Sequence, residues 1–70
     1  MSETISVVVN GDLRDVTRGA TVAQMLDAFG IHRGRIAIER NLQILSREQW
    51  SETEVAAGDR YEIVQFVGGG

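Results

Sequence analysis

The residues best suited to chemistry stand at the C-terminus, where Phe66 is followed by Val67-Gly68-Gly69-Gly70 and the α-carboxyl of Gly70. Three consecutive glycines add nothing to a core and cost more backbone entropy to order than any other residue, so the run is expected to stay mobile until bound. Measured from Phe66, four extended residues reach about 13 Å, enough to place a carboxylate inside another protein while the folded part stays outside. Lacking a Cβ, glycine suits a narrow channel. An α-carboxyl ionises near pH ~3.5, so at neutral pH it is a feeble nucleophile and a poor acyl donor until activated. Attack on the α-phosphorus of ATP would give an acyl adenylate, a step that needs Mg²⁺ and cationic clamps on the phosphates. The sequence has neither a glycine-rich phosphate loop ahead of a helix nor a metal-ligand cluster, so ATP and Mg²⁺ are expected to be held by a partner and no cofactor by this chain.

Composition narrows the alternatives. Seventy residues allow one domain with a modest core and little room for a deep pocket, so the chain is expected to be acted on by enzymes rather than to be one. The absence of cysteine excludes a disulfide framework, a thiolate zinc site, a cysteine-held iron–sulfur cluster and a thiol nucleophile. No apolar run is long enough to cross a membrane, and Met1-Ser2-Glu3-Thr4 lacks the basic-then-apolar order of a secretory signal, so the expectation is a soluble cytoplasmic protein. A net charge of −3, with seven arginines scattered among ten acids, does not suit nucleic acid. All seven basic side chains are arginine, which leaves the N-terminus as the sole amine an activated carboxyl could acylate within its own chain; codon bias explains the same composition. His32 follows a helix end and is explained by the dipole there. Glu48, Glu52 and Glu54 read as solvated surface rather than a metal site.

Positioning the tail requires a scaffold, and the sequence outlines one. Thr4 to Asn10 alternates, with Ile5, Val7 and Val9 on one face, as in a half-buried strand. Asn10-Gly11 tolerates positive φ and turns the chain into a second strand, Leu13 to Thr17. Thr21 stands three residues before Gln24 in a capping-box spacing, Val22, Met25, Leu26 and Phe29 follow at helical spacing toward the core, and Gly30 ends the helix. Arg35 to Glu39 and Leu42 to Leu45 read as strands around a turn at Arg40-Asn41. Ser46 to Gln49 repeats the capping-box spacing over one short helical turn, and Trp50 covers the edge of the core. Gly58-Asp59 turns into a last strand, Arg60 to Phe66, with Tyr61 and Ile63 facing opposite to Val64 and Phe66. The order strand, strand, helix, strand, short strand, strand suits an α+β β-grasp: a mixed sheet of four to five strands on one helix, its first and last strands side by side at the centre. The expected division is a domain over 1–66 and a flexible glycine tail over 67–70.

In Ala37-Ile38-Glu39-Arg40-Asn41, in Arg47-Glu48-Gln49-Trp50 and above all in the run from Gly58 to Gly70, the chain resembles the ThiS sulfur carriers of thiamine biosynthesis, ubiquitin-like proteins with a terminal diglycine. Ser46 departs from the proline that often precedes the Arg-x-x-Trp segment in that family. The resemblance implies that Gly70 is adenylated by an E1-like, ATP-dependent enzyme of the ThiF type and converted to a thiocarboxylate with sulfur from a delivery protein, drawn ultimately from cysteine. It further implies transfer of that sulfur to a ThiG-type thiazole synthase. Val64 and Phe66, on the sheet face away from the helix, are expected to dock partners together with Val67, Gly68 and Gly69; ordinary surface apolarity, with Val8 packed beside them, is the plainer reading. Three other functions fit the same features: a MoaD-type carrier for molybdopterin synthesis, whose tails typically carry a proline this chain lacks; a ubiquitin-like modifier joined through Gly70 to a target lysine; and an interaction domain with an inert tail.

Overall fold

The structure, a computed structural model, describes residues 3–31 and 34–66. His32, Arg33 and the whole tail Val67-Gly68-Gly69-Gly70 lie outside the described residues. Five strands, β1 (Thr4–Val9), β2 (Asp12–Thr17), β3 (Ile36–Arg40), β4 (Gln43–Leu45) and β5 (Arg60–Gln65), form one mixed sheet in the order β2-β1-β5-β3-β4. The helix α1 (Val22–Ala28) packs on one face. As the element order suggests, the first and last strands are neighbours, and they run parallel, Val8 opposite Arg60 and Val9 opposite Tyr61.

Local chemistry accounts for the elements. The alternation of β1 sends Ile5, Val7 and Val9 into the core, and those of β3 and β5 send Ile36, Ile38, Tyr61 and Ile63 to meet them. Asn10 and Gly11 sit at φ 51° and 85°, the two positive values a two-residue hairpin demands, and join β1 to β2 without slack. At the helix start the Thr21 hydroxyl accepts from Gln24 N–H at 3.2 Å while the Gln24 side chain accepts from Thr21 N–H at 2.9 Å, completing the anticipated capping box. At its end Gly30, at φ 72°, lets its N–H reach Asp27 C=O and that of Ile31 reach Leu26 C=O, so these two carbonyls of the last turn are satisfied. Val22, Met25 and Leu26 are fully buried, which assigns the helical stripe to the core.

Three local expectations need correction. Leu42 is not in a strand: Asn41 and Leu42, at φ 51° and 71°, are the two central residues of a second tight hairpin, and β4 starts one residue later. A leucine at positive φ gives no turn signal in a sequence. The Ser46–Gln49 spacing produces a 3-10 turn over Arg47–Gln49 but no capping box, because the Ser46 hydroxyl donates to the Gln49 side chain at 3.1 Å instead of capping the backbone. Val8 lies in register between Leu13 and Arg60, four residues, or about 13 Å of strand, short of Val64, so it does not pack beside the Val64–Phe66 pair.

The start of β5 is pinned by Asp59, a buried carboxylate at 5% exposure. It accepts from Ala56 N–H at 2.9 Å, from the Asn41 amide at 3.0 Å, from the Tyr61 hydroxyl at 2.8 Å and from Arg40 Nε at 3.0 Å. Burial raises the carboxyl pKa, but these four hydrogen bonds outweigh it and hold Asp59 below the usual carboxylate range. Burial, helped by the bond to Asp59, pushes the Tyr61 phenol up to about 12. A depressed carboxylate stabilises the fold fully above its unfolded pKa of about 3.9, and that contribution is lost as pH falls toward the folded value. Asp59→Asn is therefore expected to cost about 2–3 kcal/mol at pH 7 and to flatten the wild-type loss of stability below pH ~4, as read by urea unfolding across pH.

Candidate functional site

Phe66 is where β5 hands the chain to the tail. Its N–H donates to Arg35 C=O at 2.7 Å, the last backbone bond of β5 among the described residues. Strand alternation turns Val64 and Phe66 to the face away from α1, where they are 53% and 57% exposed, while Tyr61 and Ile63 go to the core. This places the two docking candidates as anticipated, beside the tail root; Val67, Gly68, Gly69 and Gly70 lie outside the described residues.

The same face holds residues that the sequence did not single out. Leu42 and Ile44 are 91% and 82% exposed, and the register sets Ile44 beside Glu39 and Glu39 beside Glu62. Alternation in β4 does carry a weak signal for Ile44; for Leu42 there is none. The outer face of β5, β3 and β4 thus presents apolar Val64, Ala37 and Ile44 around a pair of carboxylates that stand directly opposite each other. Like charges in that arrangement destabilise a sheet. Among the described residues neither Glu39 nor Glu62 has an ion-pair partner.

A groove of about 450 Å³ between β2 and α1 is lined by residues including Thr17, Arg18, Gln24, Met25 and Phe29, without histidine or cysteine. No group of three or more His, Cys, Asp or Glu among the described residues is arranged to hold a metal. No helix among them is long and apolar enough to cross a membrane. Trp50, at 3% exposure, closes the core as anticipated, with its indole N–H on Leu45 C=O at 3.0 Å.

One helix on a mixed sheet, with parallel outer segments of the chain paired at its centre, defines a ubiquitin-like protein of the β-grasp fold. Comparison with known proteins narrows this. The ThiS family model matches residues 7–70. The sulfur carrier protein ThiS of Bacillus subtilis is 36% identical over 50 residues, covering 71% of this chain and 76% of the relative. A thiazole synthase of Paramagnetospirillum magneticum is 36% identical over 66 residues, 94% of this chain; the chain spans only 20% of that relative's length. The crystal structure of the thiamine biosynthesis protein ThiS from Geobacter metallireducens superposes with a TM-score of 0.79 at 30% identity, covering 94% of this chain and 100% of that one. The chain belongs to the ThiS family.

The opposed carboxylates generate a stability prediction. Glu39→Gln is expected to raise unfolding free energy by about 0.5 kcal/mol at low ionic strength. Near 1 M salt, where the screening length is about 3 Å, most of the gain should vanish in the same denaturant titration.

Proposed function

We propose that this protein is a cytoplasmic sulfur carrier for the thiazole branch of thiamine biosynthesis, in which residues 1–66 form the domain that partners grip and 67–70 the arm that carries the reacting group. The observation that carries the reading is the family match, which runs to residue 70 and so includes the glycine run. The relatives from Bacillus subtilis and Paramagnetospirillum magneticum, a sulfur carrier and a thiazole synthase, point the same way.

The chemistry follows from the carboxylate. An oxygen of Gly70 attacks the α-phosphorus of ATP on a ThiF-type enzyme, pyrophosphate leaves, and the carboxyl becomes a mixed anhydride with AMP. The terminal sulfur of a persulfide on a delivery protein then adds to the acyl carbon and expels AMP, leaving an acyl disulfide, and a partner thiol attacks the donor's sulfur, forming a disulfide with it and releasing the carrier as a thiocarboxylate. Sulfur is more polarizable than oxygen and a stronger nucleophile, which suits the group to attack a carbonyl on a ThiG-type thiazole synthase. The protein's own contribution is reach and presentation: up to about 13 Å of side-chain-free arm beyond Phe66, and a docking face at its root. Enforced proximity of this kind is a large part of any acyl-transfer rate.

Intact mass after incubation with ATP, Mg²⁺, a ThiF-type enzyme and a sulfur donor should rise by the difference between sulfur and oxygen, and a chain lacking Gly70 should not change. An unchanged mass, with the enzyme proven competent on another carrier, rejects the reading; a larger covalent adduct points to a modifier. Docking is tested separately. Val64→Asp with Phe66→Asp, both on the exposed face, is expected to leave the fold intact by circular dichroism and to raise the KM for the carrier at least tenfold in a pyrophosphate-release assay, the loss of one to two buried apolar anchors.

A further inference from the structure

The Arg-x-x-Trp segment lies far from the tail in sequence, yet its arginine reaches the segment that leads into β3, the strand paired with the tail root. The Arg47 guanidinium donates to Gly34 C=O and lies over the Trp50 ring, 5.0 Å from its centroid to Cζ. Trp50 is itself fixed, buried in the core, its indole N–H on Leu45 C=O and its own C=O accepting from Ala23 N–H of α1 at 3.0 Å. The aromatic platform is therefore fixed, and the guanidinium that rests on it holds the Gly34 peptide. Next along the chain is Arg35, whose C=O receives the Phe66 N–H at 2.7 Å.

The geometry points to Arg47 as a positioning residue for the tail: by fixing the Gly34 peptide it sets the orientation of Arg35 C=O, and through it the direction in which the chain leaves Phe66. The acceptor of this bond belongs to an irregular segment, since residues 34 and 35 lie between the helix end and β3 and outside both. On the β1 side the hold stops at Ile63, three residues before the root. There the Asn10 side chain brackets Ile63, accepting from its N–H at 2.7 Å and donating to its C=O at 3.1 Å, and β1 has already turned away. Among the described residues Phe66 is thus held from the β3 side, through Arg35 next to Gly34. A looser root adds to the conformations of an already mobile arm, so a smaller fraction of them presents the carboxylate to a partner at any moment.

This inference rests on the carrier reading for its kinetic consequence but not for its structural one. In the full-length chain, Arg47→Met, which keeps an apolar stem over Trp50, should accelerate amide hydrogen exchange at Phe66 about fivefold, the worth of one modest hydrogen bond, while Ile63 keeps its wild-type rate. With the activating enzyme, kcat/KM for adenylation should fall by a similar factor, and Arg47→Lys, which retains a cation able to donate to Gly34, should recover part of both losses. Equal acceleration at Phe66 and Ile63, or none at Phe66, would show Arg47 to be an ordinary stabilising residue and overturn the proposal. So would selective loosening of Phe66 with unchanged kcat/KM. Failure of the wild-type chain to be adenylated at all is a separate result, which overturns the carrier reading and leaves the exchange measurement to decide the structural claim.

Discussion

Everything in this fold hangs on the parallel pairing of β1 with β5, which joins segments about fifty residues apart through a short run of backbone bonds that includes Gly58 N–H to Ser6 C=O at 2.8 Å, and Val8 N–H to Asp59 C=O and Asn10 N–H to Tyr61 C=O, both 2.9 Å. Closing so long a loop costs entropy before any contact repays it. Repayment comes from both sides of the junction. Val7, Val9, Tyr61 and Ile63 bury their side chains together against α1, and the Asn10 amide extends the pairing to Ile63 after the β1 backbone has turned away. Asparagine at this hairpin therefore has two tasks, accepting positive φ and imitating the next residue of a strand.

The second organising element is Asp59. A buried carboxylate is costly unless every lone pair finds a donor, and here Arg40, Asn41, Ala56 and Tyr61 supply them. Because those donors belong to β3, to the β3–β4 turn, to the preceding loop and to β5, one side chain registers four parts of the chain. It also explains how Leu42 is held at φ 71°: Asn41 is fixed on both sides, its amide donating to Asp59 and its carbonyl oxygen accepting from Arg60 N–H at 2.9 Å. The surrounding structure over-determines the turn, and the leucine takes the strained position with its side chain in solvent.

Much of this was legible in the sequence where the signal is local. Alternation in β1 and β5, the Asn10-Gly11 turn, the Thr21–Gln24 box and Gly30 each specify conformation within a few residues, and each formed as read. What escaped depends on distant partners. Asp59 looks like a turn residue until Arg40 and Tyr61 are placed around it, and Leu42 looks like a strand residue until the Asn41 contacts force the turn. The Ser46 spacing shows the opposite error, a local motif that a better local partner, the Gln49 side chain, diverts. For the site, alternation put Val64 and Phe66 on the open face correctly, whereas the opposition of Glu39 and Glu62 and the reach of Arg47 to Gly34 exist only through strand register and tertiary packing.

Parallel central strands also fix the polarity of the molecule. With Val8 level with Arg60, Thr4 stands level with the loop before β5, and Phe66 is some ten residues further along the same direction, roughly 30 Å away. The two ends of the described chain thus leave from opposite poles of the sheet. A label, affinity handle or neighbouring domain attached ahead of Thr4 would sit at the far pole from the root of the glycine arm, so the molecule can be immobilised or joined by that end without crowding the surface from which the arm departs.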